Sequence, residues 1–258
     1  MFVLCDNHSY NGGMKTLRLA LSFLTIIPMP AEDQVELHDL GRSAGWYPLV
    51  GFLLGIVVAA FKWGAEAFFS PWIAAVLAAG LWVLLTGGLH LDGLADCCDG
   101  MLAAASPERR LEIMKDSRLG TFGGVGLILH LLLKVALLSA LSGGLLLAVP
   151  LAAAVGRWLV LLAAHQPQAR PGGLGAAFAA GLHWRVDAGA AILPLGLILA
   201  LGLRGMLAAL AALLVAFAVL GLARRRLGGV TGDVMGMVIE LAELAVLLGF
   251  LAAWPPVL

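Results

Sequence analysis

Long apolar runs recur along this 258-residue chain, and they are the feature that most restricts its fold. Each run approaches the ~20 residues that an α-helix needs to cross a bilayer. Hydrophobic residues make up 61% of the sequence and charged residues 12%, whereas soluble domains have about 45–50% and about 25%. We therefore predict an all-α, polytopic integral membrane protein with about seven transmembrane helices. The predicted spans are residues 46–69, 72–91, 123–141, 144–164, 188–203, 205–222 and 237–254.

The N-terminal part of the chain differs from these runs. Residues 1–13 are polar and turn-rich and lack the apolar core of a signal peptide, which predicts a disordered or non-native extension. An apolar run of about 12–14 residues then extends from Met14 to Pro28 and Pro30 and is too short to cross a bilayer. We predict an interfacial or re-entrant helix there. The remainder, residues 14–258, is predicted to form one transmembrane catalytic domain, and the sequence leaves open whether Met1 or Met14 begins the natural protein.

Basic residues concentrate in three long links between the predicted spans. Because alternate links face the same side of a membrane, all three lie on one side, which the positive-inside rule assigns to the cytoplasm. The formal net charge of +0 argues against a nucleic-acid partner. The basic residues of the links are Arg109, Arg110, Lys115 and Arg118 in the first, Arg170 and Arg185 in the second, and Arg224, Arg225 and Arg226 in the third.

Residues 86–121 hold six of the 16 acidic residues, and three of them share a predicted helix face. Asp92, Asp96 and Asp99 stand at i, i+4 and i+7, so their carboxylates repel one another unless a cation lies between them. Oxygen ligands of this kind suit Mg²⁺, with Mn²⁺ as an alternative. We predict these three as metal ligands and Asp116 as a fourth. The alternative is a solvated charged loop whose acids and bases pair with one another.

The basic residues of the same stretch indicate a phosphate substrate. Mg²⁺ commonly bridges carboxylates to substrate phosphates, and Arg109, Lys115 and Arg118 are predicted to bind the remaining phosphate oxygens. Asp116, Glu112 and His90 are the candidates for a general base, and their geometry must decide among them. His90 has an equally plausible structural interpretation, a histidine at a helix end that is hydrogen-bonded to the adjacent loop.

A second set of acids lies just before and within the last predicted span. Asp233, Glu240 and Glu243 stand at i, i+7 and i+10, and acids within a membrane span are functional-site candidates because they are costly to bury. They are predicted to bind substrate, through a further metal or a nucleobase. Alternatively, they pair with the arginines at 224–226 or cap the helix. Arg157, within another span, is either a substrate contact or the partner of a buried acid.

Three other polar residues are predicted to be structural: His130, Lys134 and His165.

Several segments resemble signature sequences of cobalamin synthase, the adenosylcobinamide-GDP ribazoletransferase family of membrane enzymes. They are GGLHLDGLADCCDG, LEIMKDSRLGTFG and TGDVMGMVIELAELAVLL, supported by LSFLTIIPMP and GRSAGWYPLVGFLLG. The resemblance implies that adenosylcobinamide-GDP and α-ribazole, or its 5′-phosphate, react to give adenosylcobalamin, or its 5′-phosphate, and GMP in a Mg²⁺-dependent reaction. It also implies a multi-pass protein of the bacterial cytoplasmic (inner) membrane, and the positive-inside argument predicts that the active site faces the cytoplasm. Ile26 departs from the family pattern, which often has arginine there.

Two other functions are kept as alternatives. A CDP-alcohol phosphotransferase-like phospholipid enzyme shares the Asp-x-x-Asp-Gly start of its motif with residues 96–100, but Ala104 replaces the arginine that follows. An ion-coupled transporter would also place acids inside spans, although no internal repeat is recognised here. An oligomer is possible, and the sequence does not settle it.

Overall fold

The structure, a computed structural model, describes residues 8–30, 37–170 and 172–252. The described chain is α-helical without a β-strand, as predicted, and two short 3₁₀ turns, Ala44–Trp46 and Gly143–Leu147, precede α-helices. The α-helices are α1 (His8–Leu24), α2 (Leu37–Ser43), α3 (Tyr47–Ala65), α4 (Pro71–Thr86), α5 (Leu89–Leu102), α6 (Pro107–Ile113), α7 (Thr121–Ala140), α8 (Ala148–Ala164), α9 (Leu174–Ala180), α10 (Trp184–Ala200), α11 (Gly202–Leu227) and α12 (Gly232–Ala252).

Helices α8 and α12 form the centre of the bundle. The spans that contain them are 78% buried, compared with 28% for α7 and 33% for α11. Helix α12 packs against α5, α7, α8 and α11, while α8 also packs against α3. Small residues on α8, such as Ala153 and Gly156, allow this close packing because they let helix backbones approach.

The outer face of the bundle is apolar. Leu129 and Leu132 on α7 and Leu214 and Phe217 on α11 are each more than half exposed. An apolar surface of this extent is expected to contact lipid tails. Together with the length and hydropathy of the helices, it identifies the chain as a multi-pass membrane protein.

The predicted count of seven spans is not confirmed. Five described helices or helix combinations are long and apolar enough to cross a membrane, or six if the bent pair of α4 and α5 is one span. Helix α10 has only 17 residues and contains Pro194, so it extends for about 25 Å, less than the ~30 Å hydrocarbon core. The predicted span at residues 72–91 is interrupted, because α4 ends at Thr86 and the axis turns by 93° into α5.

Two glycines cause this turn. Gly87 and Gly88 have φ values of 62° and 70°, in the left-handed region that other residues rarely adopt. The end of the first helical segment is attached nearby, because the Ile26 amide donates a 2.9 Å hydrogen bond to the Leu85 carbonyl. The turn directs the acidic helix α5 away from the axis of α4.

Helix α1 extends further towards the N-terminus than the apolar run predicts. It includes residues 8–13, whereas residues 1–7 lie outside the described residues. The helix packs against α2 and α3. Its interfacial position in the membrane stays a prediction.

The three long basic links meet at one end of the bundle, as their alternation predicts. Arg110 in the first link donates to the Arg226 carbonyl at the end of α11 (3.1 Å). Arg170 in the second link donates to the Leu111 carbonyl in the first (2.6 Å). The Ala169 amide donates to the Val230 carbonyl in the third (2.9 Å). Hydrogen bonds therefore join three distant parts of the sequence at this end of the bundle.

Candidate active site

Helices α5 and α12 cross at a very short distance, and glycines make this possible. A Cβ atom on Gly93 would lie 2.8 Å from the Asp233 carbonyl oxygen, and one on Gly236 would lie 3.3 Å from the His90 backbone. A larger residue at Gly93 would separate the helices. The crossing brings the acidic face of α5 against the first turn of α12.

Three carboxylates converge at this crossing, those of Asp92, Asp96 and Asp233, which we call the acid cluster. Asp92 and Asp233 lie close enough to Asp96 to repel its charge. Asp233 accepts a hydrogen bond from the Thr231 hydroxyl (3.2 Å), and Arg170 Nη1 lies 3.5 Å from the same carboxylate. One arginine facing three carboxylates leaves an excess of negative charge, which favours binding of a cation.

Asp99 has a different environment from the other two α5 acids. Its carboxylate accepts hydrogen bonds from the Gly120 amide (2.7 Å) and the Gly123 amide (2.8 Å) at the start of α7. These amides have no partner within the helix, so the carboxylate caps α7 and interacts favourably with its dipole. The structure thus gives Asp99 a structural role, and its prediction as a metal ligand is not tested.

The predicted phosphate-binding residues lie on the surface beside Asp99. Arg109 Nη1 is 2.7 Å from Glu112 Oε2, and Arg118 Nη2 is 2.5 Å from Asp116 Oδ2. These four side chains and Asp99 line one shallow groove. Lys115 lies between Glu112 and Asp116 in the sequence, and its side chain is exposed.

The Arg118 guanidinium lowers the pKa of Asp116 from 3.8 to about 2 through hydrogen bonds to its carboxylate. A carboxylate with so low a pKa is a poor proton acceptor at neutral pH. In this arrangement Asp116 is therefore an unfavourable general base. The Asp116–Arg118 and Glu112–Arg109 pairs match the alternative of a solvated, self-paired loop.

A cavity of about 250 Å³ lies next to the acid cluster. Asp92 and Asp233 line it, as does His90, which is only 3% exposed. Neither ring nitrogen of His90 has a hydrogen-bond partner within the described parts of the chain. The expected hydrogen bond to the adjacent loop is therefore not found there, and a buried imidazole without a partner favours contact with a ligand.

Deeper in the bundle, two acids of α12 pair with cations of α7 and α8. Lys134 Nζ lies 2.8 Å from Glu240 Oε2 and 2.7 Å from Glu243 Oε2, and Arg157 donates to the other oxygen of Glu243. All four side chains are at most 4% exposed. Two positive and two negative charges balance, which is the condition under which buried charges are tolerated.

One further side chain completes the buried charge network, which then consists of Lys134, Arg157, Glu240, Glu243 and His130. His130 Nε2 lies 2.7 Å from Glu240 Oε2. Lys134 Nζ also lies 4.4 Å from the centre of the Trp82 ring.

The network bears on several sequence interpretations. Arg157 pairs with the buried acid Glu243, and Lys134 and His130 contact Glu240, while a substrate contact of Arg157 stays a prediction. Glu240 and Glu243 pair with Lys134 and Arg157 rather than with the arginines at 224–226. Their role in substrate binding is a prediction that these contacts do not test.

Sequence reasoning missed two residues at the site. Arg170 was counted only as a basic residue of a link, although it contacts Asp233 and joins two links. Tyr47 lines the cavity from α3 and received no role. The available signals were weak: an arginine before a Pro-Gly-Gly turn, and a tyrosine within an otherwise apolar span.

No group of three or more His, Cys, Asp or Glu side chains in residues 8–30, 37–170 and 172–252 is arranged to hold a metal ion by itself. This does not conflict with magnesium chemistry, because Mg²⁺ is usually bound by one or two carboxylates together with waters and substrate phosphates. Asp92, Asp96 and Asp233 could supply one or two such carboxylates.

Comparison with known proteins identifies relatives along nearly the whole chain. The family model for cobalamin-5-phosphate synthase matches residues 16–251. A Roseiflexus protein named adenosylcobinamide-GDP ribazoletransferase is 40% identical over 230 residues, covering 88% of this chain and 86% of its own. Proteins of the same name from Pseudomonas paraeruginosa (42% identical over 242 residues; 91% and 96%) and Escherichia coli strain K12 (40% over 244 residues; 90% and 97%) are also similar.

No solved structure matches the chain significantly. The family assignment therefore depends on sequence, and the match extends from α1 to α12 and includes the acid cluster and the buried charge network. This chain belongs to the cobalamin-5-phosphate synthase family.

Proposed function

We propose that this protein joins adenosylcobinamide-GDP and α-ribazole, or α-ribazole 5′-phosphate, to give adenosylcobalamin, or its 5′-phosphate, and GMP. The names of the relatives support this substrate pair. The observation that carries the proposal is the acid cluster beside a cavity, with Arg170 of the second link next to it. Neither a phospholipid-forming nor a transport activity is favoured by any contact described above.

Asp92, Asp96 and Asp233 are the residues that would hold Mg²⁺, or Mn²⁺ as an alternative. When bound, such an ion neutralises charge that develops on the diphosphate. We prefer Asp233 to the predicted fourth ligand Asp116, because Asp116 pairs with Arg118 at the surface. Asp99 caps α7 and is proposed to fix the position of α5 relative to that helix.

The reaction requires one O–P bond to form and one to break. A ribose hydroxyl of α-ribazole attacks the phosphorus attached to the cobinamide arm, and GMP departs with the bridging oxygen. The hydroxyl proton must pass to a base, and the carboxylates of the acid cluster are placed for this because they line or adjoin the cavity. His90 is a second candidate base because it lines the same cavity.

Positive groups around the cluster would hold the diphosphate. Arg170 is the nearest cation, and its contact with the Leu111 carbonyl fixes the guanidinium beside Asp233. The amide groups at the start of α12 add a partial positive charge at the same place. Arg109, Lys115 and Arg118 are proposed to contact the outer phosphate or the ribose of the nucleotide.

We further propose that this end of the bundle faces the cytoplasm from the bacterial inner membrane. The basic links at this end and the positive-inside rule support the orientation. The two nucleotide-derived substrates would then enter from the cytoplasm.

The test is GMP release by membranes containing the protein, supplied with adenosylcobinamide-GDP, α-ribazole and Mg²⁺. The wild type is expected to release GMP, and Asp96→Asn is expected to lose at least about a hundredfold in rate because the charge of a central carboxylate is removed. Asp187→Asn is the matched control, since Asp187 is an acid in the second long link that pairs with His165 outside the cluster. No GMP from the wild type would refute the function, and full activity of Asp96→Asn would move the site elsewhere.

A further inference from the structure

The cavity beside the acid cluster has an aromatic wall. Phe23 and Tyr47 stack with ring centroids 6.0 Å apart and planes inclined by 16°, and the Tyr47 and Phe178 rings are 5.5 Å apart. All three residues line the cavity. They come from α1, α3 and α9, so three separate helices contribute to a surface that suits a flat ring.

Two polar groups in this wall lack partners. The Tyr47 hydroxyl is buried and makes no hydrogen bond of good geometry to any described residue; the Ser43 hydroxyl lies nearby and donates to the Leu40 carbonyl. Both nitrogens of His90 are also unpaired, as described above. Buried donors without partners are costly, and a ligand that accepts their hydrogen bonds removes this cost.

The size of the cavity limits which part of either substrate can fit inside it. At about 250 Å³ it is smaller than the ~300–1,000 Å³ pockets that enclose drug-sized ligands. A corrin ring is excluded, and a single bicyclic aromatic base fits. Guanine would need acceptors for its N1–H and amino group, and among the described lining side chains the carboxylates of Asp92 and Asp233 that could accept them are the proposed metal ligands.

We propose that this cavity binds the benzimidazole-type base of α-ribazole, with the rings of Tyr47 and Phe178 against its face and His90 or Tyr47 donating to its unsubstituted ring nitrogen. This inference rests on the proposed function. It places the attached ribose towards Asp92 and Asp233, which line the same cavity, so the attacking hydroxyl meets the acid cluster.

The experiment measures binding of each substrate separately, with the purified full chain in detergent. Phe178→Ala is expected to weaken α-ribazole binding about tenfold or more, as removal of one stacking ring does. Tyr47→Phe keeps the ring and removes one hydrogen bond, so a loss of roughly two- to tenfold is expected. The Kd for adenosylcobinamide-GDP is expected to remain unchanged in both variants. Phe217→Ala, the same change on the exposed face of α11, is the matched control and should bind both substrates as the wild type does.

The outcomes separate this inference from the proposed function. GMP release by the wild type tests the function independently of the variants. If the wild type turns over but both variants bind α-ribazole normally, the inference is wrong and the function stands. If the variants weaken adenosylcobinamide-GDP binding instead, the cavity holds guanine and the inference is again wrong. If Phe178→Ala does not fold, Tyr47→Phe decides, because it changes only the unpaired hydroxyl.

Discussion

Removal of the Lys134 charge is predicted to destabilise the bundle strongly. Lys134 Nζ contacts both Glu240 and Glu243 and is 2% exposed. In Lys134→Met, Glu243 keeps Arg157, whereas Glu240 keeps only His130, which carries a charge only when it is protonated. Removing one partner of a buried ion pair costs about 3–5 kcal/mol in soluble proteins, because the other charge stays buried without compensation.

The expected change is measurable as thermal unfolding in detergent. With about 2–4 °C per kcal/mol for a chain of this size, the Tm of Lys134→Met should fall by roughly 6–20 °C. A second substitution, Glu240→Gln, should restore part of the loss when added to Lys134→Met, because it removes the uncompensated carboxylate. Lys115→Met is the matched control, since Lys115 is exposed, and its Tm should equal that of the wild type.

Two results would refute this reasoning. One is a Tm of Lys134→Met within a few degrees of the wild-type value, which would mean that the buried carboxylates are compensated in another way. The other is strict additivity of the Lys134→Met and Glu240→Gln effects, which would mean that the two side chains do not interact.

Three further predictions concern the loop and the turn around α5. Gly88→Ala should lower the free energy of unfolding by about 1–2 kcal/mol, because a Cβ strains the left-handed φ of 70°. Gly80→Ala in α4 is the control: no neighbouring atom lies within 4 Å of the added Cβ, so the free energy of unfolding should not fall. Asp99→Ala should cost about 0.5–2 kcal/mol, measured in the same way, because α7 loses its cap. Because Asp116 has a folded-state pKa of about 2, below its ordinary 3.8, any stability that it contributes is complete above pH 4 and is lost as the pH falls towards 2. It is therefore ionised throughout neutral pH, and Asp116→Asn should leave the shape of the pH–rate profile between about pH 5 and 9 unchanged; loss of its acidic limb would contradict this.

The parts of the fold that depend on hydropathy were predictable from the sequence, and the parts that depend on backbone geometry were not. Apolar runs correctly indicated the spans around α3, α7, α8, α11 and α12. Hydropathy does not register a change of direction, so the run at residues 72–91 was interpreted as one span although Gly87 and Gly88 turn the chain inside it.

The candidate site was predictable only within single helices. The spacing of Asp92, Asp96 and Asp99 placed them on one face of α5, since helical periodicity is a local property. Which of them faces α12 and which faces α7 depends on contacts between distant segments. For that reason neither the position of Arg170 beside Asp233 nor the capping role of Asp99 followed from the sequence.

The buried charge network was predictable only in part. Two acids in a span require partners, and the sequence offered several cations for them. The structure selects Lys134 and Arg157, because α7 and α8 both pack on α12. The arginines at 224–226 were the nearest in sequence, yet they lie at the opposite end of α11 from its contact with the last turns of α12.

The central proposal is that α5 and the first turn of α12 jointly form the metal site. The most direct test is Mn²⁺ binding, measured by electron paramagnetic resonance in the presence of adenosylcobinamide-GDP, for the wild type, Asp233→Asn and Asp116→Asn. We expect Asp233→Asn to bind Mn²⁺ at least about tenfold more weakly than the wild type, because it loses one carboxylate ligand. Asp116→Asn should bind Mn²⁺ as the wild type does. If Asp233→Asn binds Mn²⁺ as the wild type does and Asp116→Asn loses Mn²⁺ binding, the metal lies in the shallow groove beside Asp99 and the proposal is wrong.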